Sequence, residues 1–367
     1  MKKYIVNTLL LLSLISCRDI ESNDSVNVNR DYIESIQIED LFSDVKYLEL
    51  EYNDEYPIGN IRKVVAVDDI LYMAANSKLF QYTLDGKFIS CISRKGRGPQ
   101  EYINIADFAV NDGYIYIIDR NNKLLKYSTD NKFIASIDLP FYVATIYVEE
   151  DVIVLSSAYQ NQGDKFRLYS TEELKSIGSF EPINPVEITY RHFFGQSNFY
   201  TYNDVLCFHE PLNDNLFEID LKNRRFDKRY SVDIFGRKAP ADFWRKEYES
   251  VMDINNKLEA RGYCYGLPIF AESKESILFT YIEDGKYRMC LHNKRKNKSV
   301  QFENIKLDTD QPVLSVTETT FCFDSDESQF IVIPDTYFWN EDGSRLGKGI
   351  LPQCSNTGNP ILAIVKL

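Results

Sequence analysis

The sequence predicts an all-β protein, a six-bladed β-propeller whose blades are four-stranded antiparallel sheets. Two observations lead to this fold: a unit of four short strand-like runs that recurs along the chain, and an aromatic share of 14%, with 25 Tyr and 23 Phe. Aromatic residues are enriched in strands because they pack well on a pleated, half-buried surface. The hydrophobic content of 44% is enough for a large core, so the chain is not of the disordered class.

The repeat is clearest in two consecutive units within residues 65–134. Each unit has four apolar runs separated by Asp, Asn and Gly residues, and matching positions lie 43 residues apart at Val67 and Val110 and 45 apart at Asp85 and Asp130. Such polar pairs between apolar runs are typical of hairpin turns. A single four-stranded unit leaves its faces uncovered, so several units must pack around an axis, as in a propeller.

Fainter copies continue towards the C-terminus, at residues 147–169, 198–219, 276–300 and 321–332, with a final apolar strand at 361–365. A strict period would leave room for about eight units. The later units are stretched by insertions, however, so the predicted count is six.

Two alternating segments, Ile33–Ile38 and Val45–Leu50, precede the first full unit. A ring of sheets must protect its seam, and strands from one terminus usually complete the blade begun at the other. We therefore expect both segments in the last blade.

One stretch departs from the strand pattern. Residues 240–258 carry apolar residues at the spacing of one helix face, with Pro240 suited to the first turn. This predicts a short helical insertion between blades four and five. Its apolar residues either pack the helix on the propeller rim or let it overhang the central funnel, where Trp244 and Arg245 are candidate ligand-binding residues. The rim-packing set is Phe243, Trp244, Tyr248, Val251 and Met252.

The first sixteen residues are organised like a bacterial lipoprotein signal peptide. A basic start precedes an uncharged apolar run, Tyr4 to Ile15, that is too short to span a membrane, and Leu14-Ile15-Ser16-Cys17 has the pattern of a lipobox. We expect Cys17 to carry lipid and anchor the protein to a membrane outside the cytoplasm. The alternatives are an ordinary secretory peptide cut elsewhere and a buried N-terminal helix.

Residues 17–32 are predicted to be the lipidated cysteine and a polar tether, and 33–367 the propeller domain. Asp19, Glu21 and Asp24 lie among Ser and Asn, which offer nothing to a core. An acidic patch behind the lipid cysteine resembles the signal that sends some Bacteroides-type lipoproteins to the outer face of the outer membrane. We therefore expect an outer-membrane location, although a plain solvated linker explains the same residues.

The net charge of the chain limits the classes of partner that it is expected to bind. The net charge is −13 and the isoelectric point near 4.9. Both argue against a nucleic-acid partner and against a general attraction to anionic lipid, because phosphate contacts need clustered Lys and Arg. The one basic run, Lys294–Lys298, is interpreted as a solvated hairpin tip.

Cysteine usage gives a weaker signal. Apart from Cys17 there are six cysteines, at positions 91, 207, 264, 290, 322 and 354. An exported protein could oxidise them, but most lie in strand-like runs, where a free cysteine is a small buried hydrophobe. We expect mostly free thiols.

The segment Arg94–Tyr102, just after the first unit, is the most distinctive motif of the chain. We expect Gly96 and Gly98 to permit positive φ and Pro99 to fix the turn, with Glu101 and Tyr102 locking it by hydrogen bonds. In this structural interpretation, the segment forms a tight crossover between two blades. In the functional alternative, Arg94, Lys95 and Arg97 donate to an anionic ligand.

This motif closely resembles the Gly-x-Gly-Pro-Gly-Glu-Tyr turn of the six-bladed β-propeller lipoproteins of Bacteroides-type bacteria, relatives of NHL-repeat proteins. Glu210–Ile219 is similar to that family's blade-four hairpin and Asn359–Val365 to its closing strand, while Gln100 replaces the usual second glycine. The resemblance implies the fold and a cell-envelope address. It supplies no catalytic residue.

The sequence contains few residues in patterns typical of catalysis or metal binding. There are three histidines, and the sequence has no His-Glu-x-x-His, Gly-x-Ser-x-Gly or Cys-x-x-Cys motif, so no metal and no cofactor are expected. Asp324–Glu327 is interpreted as a polar turn rather than a calcium loop. Arg191 and His192 lie in a long connection, where they either face the funnel as ligand-binding candidates or simply pack the loop.

Three functions remain open. The first is a surface binding or scaffold lipoprotein that engages a glycan, a peptide or an envelope protein. The second is a glycan- or peptide-acting hydrolase or lyase with funnel carboxylates, and the third is a sensor module that reports a ligand to an envelope partner. A fold alone does not choose among them. The first is favoured because it needs no catalytic constellation.

Overall fold

In the computed structural model of the protein, the described residues are 25–157, 163–183, 198–210, 212–244, 246, 248–307, 313–317, 319–323, 329–334 and 359–367. Their N-terminal part comprises β1 (Ser25–Val28), β2 (Ser35–Gln37), a short helix α1 (Ile38–Leu41) and β3 (Asp44–Glu49).

Five meanders of four strands follow. The first two consist of β4 (Ile61–Val67), β5 (Ile70–Ala75), β6 (Lys78–Thr83), β7 (Phe88–Ile92), β8 (Ile105–Asn111), β9 (Tyr114–Asp119), β10 (Lys123–Ser128) and β11 (Phe133–Asp138). The third and fourth consist of β12 (Thr145–Glu149), β13 (Val152–Ser156), β14 (Asp164–Ser170), β15 (Ser176–Pro182), β16 (Asn198–Tyr202), β17 (Val205–His209), β18 (Asn215–Asp220) and β19 (Arg225–Ile234).

Two helices, α2 (Ala241–Trp244) and α3 (Val251–Ala260), precede the fifth meander. The remaining strands are β20 (Phe270–Glu272), β21 (Ser276–Glu283), β22 (Lys286–Asn293), β23 (Lys298–Phe302), β24 (Asn304–Lys306), β25 (Val313–Ser315), β26 (Thr320–Cys322), β27 (Gln329–Ile333) and β28 (Ile361–Lys366).

The strands in the described part of the chain form seven sheets, so the predicted propeller of four-stranded antiparallel blades is confirmed but the predicted count of six is wrong. Five blades are the consecutive meanders, β24 and β25 form a small sixth blade with β2, and β26 to β28 form the seventh with β3. The small blade was missed because β24 and β25 have three residues each and its third strand comes from the other end of the chain.

The N-terminal strands close the ring in two places. β3 pairs antiparallel with β28, with Leu48 opposite Leu362, which confirms the predicted closure of the last blade. The first alternating segment does not join that blade as predicted, because β2 pairs parallel with β24 in the small blade.

The segment before residue 33 also contributes to the propeller. β1 adds a parallel fifth strand to blade 4 alongside β19, and Val26 and Val28 are buried there. The expectation that this polar stretch offers nothing to a core is therefore wrong for these residues. The chain then crosses to blade 5, where Gln301 donates its backbone N–H to Asp31 O over 2.8 Å and accepts from Ile33 N over 2.9 Å.

The helical insertion between blades 4 and 5 is confirmed. Ser250 caps α3 by accepting a hydrogen bond from Asp253 N over 3.1 Å. Phe243 and Tyr248 pack in a small apolar cluster with the blade 5 residue Ile282, with Trp244 partly buried against it, which supports packing on the rim. Met252 was expected in that packing, but its side chain is 65% exposed.

The meander order gives the ring two distinct faces. Strands alternate in direction, so the blade-to-blade crossings and the turns between second and third strands lie on one face, which we call the crossover face. The turns between first and second strands and between third and fourth strands lie on the other, the hairpin face. Residues 93–104 and 120–122 are on the crossover face, and residues 129–132 are on the hairpin face.

The core lies between the blades. Blades 1 and 2 share one buried cluster, in which Tyr72 and Leu79 pack with Phe108, Ile117 and Tyr127. Burying one large apolar side chain stabilises a fold by about 1.5–3 kcal/mol. Each blade therefore depends on its neighbour for stability.

Buried charges also join the blades. Glu272 in blade 5 accepts from the Arg229 guanidinium of blade 4 over 2.7 Å and from the Lys294 ammonium over 2.7 Å, and its side chain is 1% exposed. Burial alone would lower the pKa of Arg229, but the Glu272 carboxylate raises it above its usual value. Lys63 and Asp107 form a second such pair, between blades 1 and 2, at 2.8 Å.

Several sequence expectations concern this framework. The five described cysteines, at 91, 207, 264, 290 and 322, are free thiols as predicted, and Cys354 lies outside the described residues. Lys294–Lys298 spans the hairpin turn between β22 and β23, as predicted. No helix within the described ranges is long and apolar enough to cross a membrane.

Glu272→Ala is expected to lower the free energy of unfolding by about 3–5 kcal/mol, because it leaves two buried cations without their shared carboxylate. Glu275→Ala is the matched control, since Glu275 is exposed and pairs with Arg295 on the surface; its cost should stay below about 1 kcal/mol. Urea denaturation measures both. Equal losses would show that the buried bridge does not hold blades 4 and 5 together.

Candidate functional site

The distinctive turn connects β7 to β8 on the crossover face. Its backbone closes on itself, because Tyr102 N donates to Arg94 O and Gly96 N donates to Tyr102 O, each over 3.0 Å. Glu101 N donates to Gly98 O over 3.0 Å inside that loop. The turn is therefore a rigid element between blades 1 and 2.

The glycines are required for a different reason from the one predicted. Neither Gly96 nor Gly98 has a positive φ. Instead, the Glu101 carboxylate folds back over the loop and accepts from Gly98 N over 2.8 Å. A Cβ added at Gly96 would lie 2.0 Å from Glu101 Oε2, so a larger residue would displace this carboxylate.

Blade 2 holds the outer side of the turn. Lys123 Nζ donates to Gly98 O over 2.9 Å, and the Ser136 hydroxyl donates to Pro99 O over 2.8 Å. The Tyr127 hydroxyl donates to Gln100 O over 2.5 Å, and burial raises the pKa of Tyr127 to about 12. Tyr102 is fully buried and donates to Ile92 O over 2.7 Å.

A depression of about 480 Å³ lies between this turn and blade 2. Its lining mixes backbone, charged and neutral polar groups: Gly96, Arg97, Pro99, Ile103, Asp119, Asn121, Lys123, Ser136 and Asp138. Its volume lies within the usual range for small-molecule sites. We call it the crossover depression.

Two of the four charged lining residues of the crossover depression, Asp119 and Lys123, are already engaged in the structure. Asp119 Oδ1 accepts from Ile103 N over 3.1 Å and from Asn104 N over 2.9 Å, and Lys123 is bound to the turn. Asp138 is an exposed carboxylate at the edge. The interior of the site is therefore preorganised by its own hydrogen bonds.

One arginine of the lining, Arg97, and one that adjoins the lining residues in the chain, Arg120, differ from these engaged groups. Arg97 and Arg120 are exposed, and within the described part of the chain neither side chain has a hydrogen-bond or ion-pair partner. Arg120 lies between the lining residues Asp119 and Asn121. Burial, and then the nearby Arg120, lower the pKa of Arg62, whose guanidinium donates to Asn104 Oδ1 over 3.2 Å.

The structure gathers only some of the candidates named from sequence. Arg97 lines the crossover depression, while Arg94 lies at the base of the turn and donates to Gln100 Oε1 over 3.0 Å. Trp244 lies elsewhere, in α2, with its ring 5.2 Å from that of Phe243. Three candidates lie outside the described residues, as does the predicted lipidation residue: Arg191, His192, Arg245 and Cys17.

Sequence reasoning missed Arg120, Asn121 and Lys123. They follow the second strand of blade 2, where the sequence indicated only a turn. The meander order could have indicated them. In a four-stranded meander, the turn between the second and third strands lies on the same face as a blade-to-blade crossing, so residues 120–122 must lie on the face of the distinctive turn.

The two described blade histidines lie in the core. His209 Nδ1 lies 3.1 Å from Leu267 O, and burial lowers the pKa of His209 to about 4, so the ring is neutral near pH 7. His292 Nδ1 lies 2.8 Å from the Ser299 hydroxyl. No group of His, Cys, Asp and Glu residues in the described ranges has the arrangement of a metal site.

Comparisons with known proteins agree with this architecture. The model of a family described as "Domain of unknown function (DUF4934)" matches residues 23–366. The fold is similar to that in a crystal structure of a Bacteroides fragilis protein, whose name describes it as expected to be exported. The two superpose with a TM-score of 0.69 at 17% sequence identity, over 94% of this chain and 99% of that chain. At this identity the likeness shows the fold alone.

More distant matches add no further argument. The WD40 domain of Pan2 from Neurospora crassa has a TM-score of 0.38 at 9% identity, over 84% of this chain and 78% of that chain. BamB from Moraxella catarrhalis has a TM-score of 0.39 at 9% identity, over 86% and 85%. No curated protein matches the sequence. The predicted relation to NHL-repeat proteins stays a prediction, and the six-bladed part of that resemblance is wrong.

Gly96→Ala is expected to lower the free energy of unfolding by about 1–3 kcal/mol, because the new Cβ would collide with the Glu101 carboxylate. In a Glu101→Ala background the same substitution should cost clearly less, since the colliding group is gone. A double-mutant cycle measured by urea denaturation tests this coupling. An equal cost in both backgrounds would contradict the described turn.

Proposed function

The chain belongs to the DUF4934 family, and from that premise we propose that it is an exported, lipid-anchored binding protein whose crossover depression takes an anionic ligand. The observation that carries the binding role is the exposed Arg97 guanidinium, which lines a preorganised depression and has no partner among the described residues. The exposed Arg120 lies in the chain between two further lining residues, Asp119 and Asn121, and adds a second cation on this face. The proposal keeps the anionic-ligand role that the sequence suggested for Arg97.

Export is supported by two observations. The first sixteen residues have the organisation of a signal peptide that ends at a lipobox cysteine. The Bacteroides fragilis protein that shares the fold is named as one expected to be exported from the cell. Lipid on Cys17 would hold the propeller at the cell envelope, with an outer-membrane location as part of the proposal.

The charge pattern supports an anionic ligand. The protein has a net charge of −13, yet Arg97 lines the crossover depression without a carboxylate partner among the described residues. The Glu101 and Asp119 carboxylates accept from backbone N–H groups, which leaves the guanidinium groups available to an incoming anion. A guanidinium binds a carboxylate or phosphate through two parallel N–H donors, which gives the contact both strength and orientation.

The neutral lining indicates a ligand with hydroxyl groups. Asn121 and Ser136 line the crossover depression next to the exposed Asp138 carboxylate. Amide, hydroxyl and carboxylate groups can accept from or donate to sugar hydroxyls. A carboxylate-bearing sugar unites both features and serves as the probe.

Arg97→Ala combined with Arg120→Ala is expected to weaken the binding of galacturonate at least tenfold, because each charge-assisted hydrogen bond contributes about 1.5–3 kcal/mol. Isothermal titration calorimetry measures the affinity, with galactose as the uncharged comparison. The unchanged protein should prefer galacturonate over galactose.

Arg225→Ala is the control for this test, because Arg225 is an exposed arginine of blade 4 that pairs with Asp220 and Asp227. It should leave galacturonate binding within about twofold of the unchanged protein. The same affinity for both sugars, or an equal loss in both variants, would refute a guanidinium-based site.

Cys17→Ser is expected to move the protein out of the membrane fraction, because the serine hydroxyl does not accept the thioether-linked lipid on which anchoring depends. Metabolic labelling with a fatty acid, followed by cell fractionation, measures both events. Cys354→Ser is a control that leaves the lipobox intact. Equal labelling of the Cys17→Ser protein would exclude the proposed anchor.

A further inference from the structure

The hairpin face of blades 4 and 5 carries charge opposite to that of the whole protein. Three turns meet there and, together with the strand ends that adjoin them, cover residues 220–229, 272–275 and 293–298. Together they contain ten Lys and Arg residues but four Asp and Glu residues, in a chain whose net charge is −13. We call these three turns the cationic rim.

The three turns are neighbours because a buried bridge joins them. Glu272 binds both Arg229 of the first turn and Lys294 of the third. Both cations also lie over the ring of Tyr202, at 5.1 and 4.6 Å from its centre. This shared anchor fixes the blade 4 and blade 5 hairpins side by side.

The exposed charges of the cationic rim are not balanced. Its surface carboxylates are paired, Asp220 and Asp227 with Arg225 and Glu275 with Arg295. Four exposed lysines have no hydrogen-bond or ion-pair partner among the described residues: Lys222, Lys274, Lys296 and Lys298. The rim therefore presents an uncompensated positive surface.

The N-terminal strand enters the propeller at this place. Ser25 pairs with Ser231, close to the Lys228 end of the first turn, and Asn29 approaches the third turn, with 3.5 Å between its side-chain nitrogen and Asn297 O. Seven residues lie between Cys17 and Ser25, so eight Cα-to-Cα steps join the two. An extended chain of that length reaches roughly 28 Å at about 3.5 Å per residue.

We propose that the cationic rim of blades 4 and 5 docks on an anionic lipid surface. This role rests on the proposed export and anchoring of the chain, but not on the ligand of the crossover depression. A lipid at Cys17 would hold the rim near the headgroups, where each lysine strengthens attraction to anionic lipid by roughly fivefold. The net charge predicts no general attraction to such lipid; the proposal differs from that prediction because the cations of the rim are segregated from the acidic residues.

The test uses the chain from Arg18 onward, exported behind an unrelated cleavable signal so that it carries neither lipid nor apolar leader. Cosedimentation is measured with vesicles of equal parts phosphatidylglycerol and phosphatidylcholine, and with phosphatidylcholine alone. We expect binding to the anionic vesicles only. Raising the salt concentration should weaken it, because salt screens exposed charges.

The triple variant Lys222→Glu, Lys296→Glu and Lys298→Glu should bind anionic vesicles at least tenfold more weakly. The matched control changes Lys87, Lys132 and Lys175 to Glu, which are exposed lysines of the corresponding turns of blades 1 to 3. It alters the net charge equally and should retain binding within about threefold.

Failure of the unchanged protein to bind anionic vesicles would overturn the docking surface, and so would equal losses in the two triple variants. The Arg97→Ala and Arg120→Ala double variant separates this proposal from the function of the crossover depression. It should sediment with anionic vesicles like the unchanged protein; a loss of vesicle binding there would place the lipid contact on the other face and refute the rim.

Discussion

Each four-stranded sheet of this protein has two apolar faces, and only a neighbouring blade can cover them. The buried clusters therefore lie between blades rather than within them, as Tyr72 of blade 1 packs with Phe108 of blade 2. Buried charges follow the same logic, because Glu272 bridges blades 4 and 5. Ring closure by β3 is a consequence, because its Leu48 completes the buried cluster that Leu362 of blade 7 shares with Val64 of blade 1.

The meander also decides which surfaces can serve which role. Blade-to-blade crossings lie on one face, so the crossover depression forms where the rigid turn of residues 94–102 meets the Arg120 turn of blade 2. Turns between third and fourth strands lie on the other face, where the cationic rim is found. A propeller that docks on a lipid surface through the rim would direct the crossover depression away from that surface. The two proposed contacts are therefore compatible in one orientation.

The sequence allowed the repeating unit to be recognised because blades 1 and 2 keep nearly the same strand and turn lengths. It failed at the small blade, since strands of three residues carry no measurable alternation, and β2 is distant in the chain from its partner β24. It failed at β1 because Val26 and Val28 alternate with polar residues in a segment that appeared solvated. In the crossover depression, Arg97 was predicted from its motif, whereas the position of Arg120 next to the lining residues follows only from the fold.

The blade edges explain a last feature, the exposed isoleucines of blades 1 to 3. The pairing of third and fourth strands shifts register in each of these blades, and the extra residue of each bulge is Ile89, Ile134 or Ile177. In blade 4 the extra residue is Arg229, which turns inward to Glu272. Bulges interrupt an edge and discourage further strands. The third and fourth strands of blade 5 pair without such a shift. In blade 4, residues 231–234 of β19 lie beyond the bulge and keep a regular edge, with which β1 pairs. The N-terminal segment covers those two edges, so it protects the ring where the bulges do not.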